Sequence, residues 1–264
     1  MKQQMLGRYG FRVAAVSVVF GVCAAGSASA AAGMNPDADE ILRAMSRFLA
    51  GTPAFSMSAD ISNEVVTLEG QKLQFNSSAT AVIQRPSRMY MSRRGRFADA
   101  ELFYNGQQLT LYGKAVNAYV QKDLAGTLNQ ALDALESGIG ISLPGGDLLV
   151  ADPYAALTSG ATSSSYYGIS YVGGVAAHHL AFRTRTVDWQ IWVKEGNEPL
   201  PLKYSITTTW TTGAPQYSVQ FSNWNLKPTI QANRFTFVAP KDAVRVETIA
   251  VDEMGELSAP KGSK

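Results

Sequence analysis

From Phe55 onward the chain alternates between apolar and polar positions. Phe55, Met57, Ala59 and Ile61 point one way and Ser56, Ser58, Asp60 and Ser62 the other, the two-residue period of a strand with one buried face. Glu69-Gly70 turns the chain. Leu73, Phe75, Ala79, Ala81 and Ile83 then alternate with Lys72, Gln74, Asn76, Ser78 and Thr80 up to Pro86. Met89 and Met91 alternate with Arg88, Tyr90 and Ser92 before Gly95. Asn105-Gly106, between Leu102-Phe103-Tyr104 and Leu109-Thr110-Leu111-Tyr112, predicts a hairpin whose two turn residues take positive φ. A shorter strand is predicted over 118–121. A second alternating run covers 166–172, 176–182, 189–193, 202–210 and 217–221, punctuated by Gly173-Gly174, Glu195-Gly196-Asn197 and Gly213-Ala214-Pro215, and Phe235-Thr236-Phe237 predicts a last strand.

Helical spacing interrupts this pattern. Residues 35–50 predict a helix capped by Asn35, opened by Pro36, with Asp37, Asp39 and Glu40 near its positive end and a stripe of Ile41, Leu42, Met45, Phe48 and Leu49. Thr127 caps a second, with Leu128, Ala131, Leu132 and Leu135 on one face and Gly138 as its stop. Asp152-Pro153 starts a short third one through Leu157. The expected architecture is mainly β (α+β): one large antiparallel sheet of about 10–11 strands, curled, with the helices of 35–50 and 127–158 across its apolar face. No internal repeat or linker divides it, so 31–250 reads as one domain and 251–264 as a mobile C-terminal tail.

The first thirty residues follow another logic. Lys2, Arg8 and Arg12 precede an apolar stretch from Val13 to about Ala25, and Ala28-Ser29-Ala30 is a small-x-small cleavage pattern. Residues 1–30 therefore read as a signal peptide cleaved near Ala30, directing export to the periplasm. The apolar stretch is too short for a membrane span, and no transmembrane segment is expected in the mature chain. Cys23, the single cysteine, follows Val22 rather than the small residue a lipidation site wants, and falls inside the discarded signal. The full chain carries a formal +2; the signal holds three positive charges and no acid, which leaves −1 for the rest. A near-neutral mature protein lacks the basic footprint of a nucleic-acid binder. The remaining cluster of Arg85, Arg88, Arg93, Arg94 and Arg96 reads as a solvated strand face. Its alternative is an anionic-ligand site, in which Arg85, Arg88, Arg93 and Arg94 are candidate contacts for a head group.

Catalytic motifs are sparse. His178 and His179 are adjacent on a strand and point to opposite faces, so they do not chelate a metal together and read as structural. There is no Gly-x-Ser-x-Gly elbow and no P-loop, and Gly138-Ile139-Gly140 reads as a helix stop. Asp188 beside Trp189 and Trp192 reads as strand packing rather than a sugar site. No enzyme activity, metal or cofactor is expected. The apolar face is the informative feature, because it is rich in methionine and aromatic residues that suit a soft, irregular partner. The candidate cavity wall is Phe55, Met57, Phe75, Met89, Met91, Phe103, Leu109 and Leu111 on strands, with Leu132 on the covering helix.

Several segments carry a resemblance: Pro36-Asp37-Ala38-Asp39-Glu40-Ile41-Leu42, Phe103-Tyr104-Asn105-Gly106 with Leu109-Thr110-Leu111-Tyr112, Asp152-Pro153-Tyr154, His178-His179-Leu180-Ala181-Phe182, Val187-Asp188-Trp189-Gln190-Ile191-Trp192 and Ser222-Asn223-Trp224. In these the chain resembles the periplasmic lipoprotein-carrier (LolA-like) superfamily, and within it an uncharacterised bacterial periplasmic family of unknown function. Phe235-Thr236-Phe237 followed by Pro240 looks like the end of the carrier fold. The resemblance implies an incomplete β-barrel whose concave side, lidded by helices, takes the acyl chains of a lipid or lipoprotein. It also leaves room for an envelope sensory or protein-interaction module with a partner protein. It transfers no functional residue one by one.

Overall fold

The structure is a computed structural model and describes residues 33–96, 99–139, 141, 143–251 and 257–258. The expected signal peptide, its cleavage site and Cys23 lie outside the described residues. Helix α1 (Pro36–Gly51) starts where its sequence says it should: Asn35 Oδ1 accepts the Ala38 N–H at 2.9 Å, and Pro36 occupies the first turn. Its buried stripe is Ala38, Leu42, Met45 and Leu49.

Six strands then run antiparallel in sequence order: β1 (Ala54–Val66), β2 (Lys72–Gln84), β3 (Arg88–Gly95), β4 (Asp99–Tyr104), β5 (Gln108–Gly113) and β6 (Ala118–Asp123). The β4–β5 hairpin differs from the expected turn. Only Gly106 takes a positive φ, at 92°, while Asn105 stays outside that region and accepts the Gln107 and Gln108 N–H groups on Oδ1. A side chain at 106 would also meet Ser87 Oγ at 3.0 Å.

The insert comprises α2 (Leu128–Ala134), a wide π turn (Leu135–Ile139), a 3-10 turn (Gly146–Leu148) and α3 (Pro153–Thr158). The Thr127 N–H donates to Gln130 Oε1 at 2.8 Å, and Asp152 Oδ1 accepts the Ala155 N–H at 3.0 Å, so the two expected starts are in place. The helical path does not stop at Gly138 but runs to Ile139.

A second meander follows: β7 (Ser163–Val172), β8 (Val175–Arg183), β9 (Val187–Lys194), β10 (Pro201–Thr208) and β11 (Gln216–Asn225). The two meanders fuse through one seam, β1 against β11, with Ala59 opposite Phe221 and Ile61 opposite Val219. The result is one twelve-stranded sheet, ordered β12-β6-β5-β4-β3-β2-β1-β11-β10-β9-β8-β7 and not closed on itself: an incomplete barrel. Its twelfth member, β12 (Val244–Arg245), is the parallel one and pairs with β6.

The predicted strand at Phe235–Phe237 does not form. Phe235 is buried in a turn, and the Phe237 ring packs against Phe103, Tyr112 and Tyr119 at 4.9–5.5 Å. Aromatic burial on the outer face of the sheet takes the place of strand pairing, and the ladder beside β6 is filled by Val244–Arg245 instead. Of the expected tail, Val251 pairs with Leu257 and Ala250 with Ser258, as strands β13 (Ala250–Val251) and β14 (Leu257–Ser258); the other tail residues lie outside the described set.

The core has two parts on the inner, helix-bearing face. One joins α1 and Leu157 of α3 to β8–β11 through residues such as Leu180, Trp189 and Ile191. The other joins α2 and Leu135 to β1–β6 through residues such as Ile83, Met89 and Leu109. Trp189 stacks on Phe182 at 4.0 Å and Asp188 pairs with Arg183 at 2.7 Å, so that segment is packing, as its alternation predicts. Among the described residues no helix is long and apolar enough to cross a membrane.

Candidate ligand cavity

Strand register sorts the inner face into rows that cross the sheet. The innermost row is Phe55–Ile83–Met89–Tyr104–Leu109, with every member almost completely buried. The next is Met57–Ala81–Met91–Leu102–Leu111–Val120, and the one beyond it Phe221–Ala59–Ala79–Arg93–Ala100–Gly113. These last two rows hold four alanines and a glycine where the first holds aromatic and long aliphatic side chains. Small residues set side by side leave a hollow that the covering elements do not fill.

That hollow is a cavity of about 200 Å³ between the two halves of the core. The sheet supplies Met57, Ala79, Ala81, Met91, Leu102 and Leu111; the cover is Leu135, Ile141, Leu143 and the loop through Leu149. Gly145 in that loop has a φ of 88°, a conformation that favours glycine, and a side chain there would touch the Tyr204 ring at 3.9 Å. The loop is fixed from below by Arg85, whose Nη1 donates to the carbonyls of Leu149 at 2.6 Å and Val150 at 3.1 Å. Burial lowers the Arg85 pKa from its ordinary value.

The structure brings three of the nine candidate wall residues to the cavity: Met57, Met91 and Leu111. Phe55, Met89 and Leu109 share the face but are fully packed core in the row beside the cavity, Phe55 against the Trp224 ring at 5.5 Å. Phe75 is half-buried opposite Asn63 on the same face, outside the cavity. Leu132 packs on the core next to Gly146 without lining the hollow. Phe103 is a correction. It pairs with Tyr90 and Thr110, so its side chain stands on the outer face, at 5.1 Å from the Tyr90 ring and 5.4 Å from Phe237. Its neighbours Leu102 and Tyr104 carry the inner face of β4.

The arginines also divide. Arg88 and Arg94 are exposed, as a solvated face requires, but Arg85 is built under the loop and Arg93 lies in the inner-face row that lines the cavity. Glu101 also borders the cavity, but its carboxylate accepts from Tyr90 Oη and pairs with Lys114 Nζ, both at 2.9 Å. Tyr217 lines the cavity on the side away from the packed row; burial pushes its phenol up to about 12, with Arg93 partly offsetting this. His178 Nδ1 bonds Tyr166 Oη at 2.9 Å, and His179 Nε2 bonds Gln190 Oε1 at 2.9 Å while stacking on Trp192 at 4.4 Å, so the two imidazoles serve separate packing contacts. Sequence reasoning passed over the alanines and Tyr217.

The family comparison decides the relationship. The sequence model described as "Predicted periplasmic protein (DUF2092)" matches residues 38–249, most of the chain. The chain belongs to the DUF2092 family. No curated protein matches the sequence. Three solved structures illustrate the wider likeness. An uncharacterized conserved protein from Thermus thermophilus is 11% identical, with 80% of this chain and 98% of that chain covered at a TM-score of 0.46. The lipoprotein LppX from Mycobacterium tuberculosis is 11% identical, with 75% and 100% covered and a TM-score of 0.42. A LolA superfamily protein from Nitrosomonas europaea is 10% identical, with 76% and 97% covered and a TM-score of 0.34. These likenesses are distant, and DUF2092 membership is the relationship that is established.

Proposed function

We propose that this DUF2092 protein is an exported periplasmic binding protein that holds or carries a hydrophobic ligand, with one acyl chain of a lipid or lipoprotein inserted between sheet and cover. The observation that supports this reading is the half-open apolar hollow of about 200 Å³ made by aligned small residues on the inner face. Ligand pockets usually span roughly 300–1,000 Å³, so this one suits a single chain rather than a bundle of several. Each methylene removed from water contributes about 0.8 kcal/mol, which over a chain end outweighs the ordering cost in a preformed site. Such binding needs no catalytic group and no cofactor.

The test is calorimetric titration of delipidated protein with palmitate, beside native mass spectrometry of protein purified from its own envelope. Saturable binding of one chain per protein is expected. A well-folded protein that binds no acyl compound and retains none from the envelope overturns the reading. That outcome favours a protein-interaction module, for which the exposed Tyr167 and Tyr171 on edge strand β7, 66% and 73% accessible, are the relevant surface.

A further inference from the structure

We infer that the ligand of this cavity is an amphiphile with an anionic head group, a carboxylate or a phosphate, held by Arg93 and Tyr217 on the side away from the packed row; the inference rests on the acyl-chain reading above. The lining of the cavity changes chemistry along the strands, from one row to the next. Met91, Leu102 and Leu111 line it in the row beside the packed one; Arg93 stands one row further along β3, and Tyr217 lies further still in the same direction, opposite Asn63.

Arg93 is placed there by register, not by chance exposure. It lies opposite Ala79 on one side and Ala100 on the other, so neither neighbour in its row has the bulk to cover its stem. Its Nε donates to Ser77 Oγ at 2.9 Å, which fixes the plane of the guanidinium. Among the described residues no carboxylate forms an ion pair with it, and no protein acceptor meets its two Nη groups. The other charged residue at the cavity, Glu101, is satisfied by Tyr90 and Lys114. A half-buried guanidinium whose Nη donors lack acceptors beside an apolar hollow is complementary to the two oxygens of a carboxylate or phosphate, which it meets in a bidentate fork. Tyr217 adds a phenol that is protonated at neutral pH already at its ordinary value near 10, and burial raises it further, to about 12. It is therefore a hydrogen-bond donor to an anion, not a competing charge.

Three single-chain probes distinguish the head groups: palmitate, palmitoyl-lysophosphatidylglycerol and the neutral 1-monopalmitoylglycerol. Each is titrated into delipidated wild type, Arg93→Gln, Arg93→Lys and Tyr217→Phe, with folding followed by circular dichroism. Wild type is expected to bind at least one anionic probe about tenfold or more tighter than the neutral one, a typical value for a charge-assisted pair. Arg93→Gln is expected to erase that difference while leaving monopalmitoylglycerol within about twofold, and Arg93→Lys to restore part of it. Tyr217→Phe is expected to weaken the anionic probes alone. Loss confined to palmitate assigns a fatty-acid head, and loss confined to the lysophospholipid a phosphate. If wild type binds all three probes equally, or Arg93→Gln weakens charged and neutral probes alike, the head-group inference is wrong and the acyl-chain reading stands. If no probe binds the folded wild type, it is the acyl-chain reading that fails.

Discussion

Ala59, Ala79, Ala81 and Ala100 occupy neighbouring positions in two rows of the inner face, and the hollow follows them. Replacing Ala79 by Leu puts a branched side chain into space that is empty, so the usual overpacking cost of about 1–3 kcal/mol should be small here. The expected outcome is a protein that melts within a few degrees of wild type and binds palmitate at least tenfold more weakly, read by thermal unfolding and calorimetry. Phe103→Ala is expected to behave in the opposite way. It removes contacts with Tyr90 and Phe237 on the outer face and should cost about 2 kcal/mol, below the 3–5 kcal/mol of a fully buried aromatic, with palmitate affinity unchanged. Neither point was legible in the sequence. Leu102-Phe103-Tyr104 is apolar throughout, so alternation cannot set its phase; the pairing of Met89 with Tyr104 does. An alanine in a strand is equally mute until its cross-strand partners are known, because a cavity is a property of adjacent strands. The packed residues Phe55, Met89 and Leu109 and the lining residues Met57, Met91 and Leu111 obey the same two-residue period, so periodicity gives the face without separating wall from core.

Helices were more legible than the hollow they help cover. Caps are local chemistry, and Asn35, Thr127 and Asp152 each mark a start within one residue of the observed helix. The π turn after α2 and the outer-face course of Phe237 have no local signature, since both are fixed by packing against distant strands. One link between elements is both local and long-range. Tyr154 at the start of α3 donates its hydroxyl to Asp39 of α1, Arg43 pairs with the same carboxylate at 2.7 Å, and the guanidinium lies 3.7 Å from the Tyr154 ring centre. The Tyr154 hydroxyl and then Arg43 hold the Asp39 carboxyl below its ordinary pKa. A carboxyl with a lower pKa folded than unfolded stabilises the fold above the unfolded value, near 3.9, and loses that contribution as pH falls through the folded value. Asp39→Asn is therefore expected to lower the melting temperature at pH 7 by about 2–4 °C, as for roughly 1 kcal/mol in a domain of this size, and the gap to wild type should narrow as pH falls below the unfolded value of about 3.9. Thermal melts of both proteins across that range check it.

At the scale of the molecule, the first expectation is an N-terminus. Sequencing of the mature protein is expected to begin near Ala31, and a chain that begins at a lipid-modified Cys23 would contradict both the expected cleavage site and the expectation of an unanchored mature chain. The broad architecture was readable because most of the eleven strands alternate and turn residues separate them, while the order of the strands was not. Within each meander neighbours in sequence are neighbours in space, but the seam sets Asn63 against Tyr217 and Ser56 against Asn225. That seam has a kinetic side. The hairpins form from short loops, whereas β1 waits for β11, and distant pairings are slow because a long loop must close before any contact rewards it. A chain that folds from its N-terminus can zip β1–β6 yet cannot join its halves until β11 has been made. One edge of the strand synthesised first among the eleven is held open for the one synthesised last, so the join between the two halves is among the last contacts of the sheet to form.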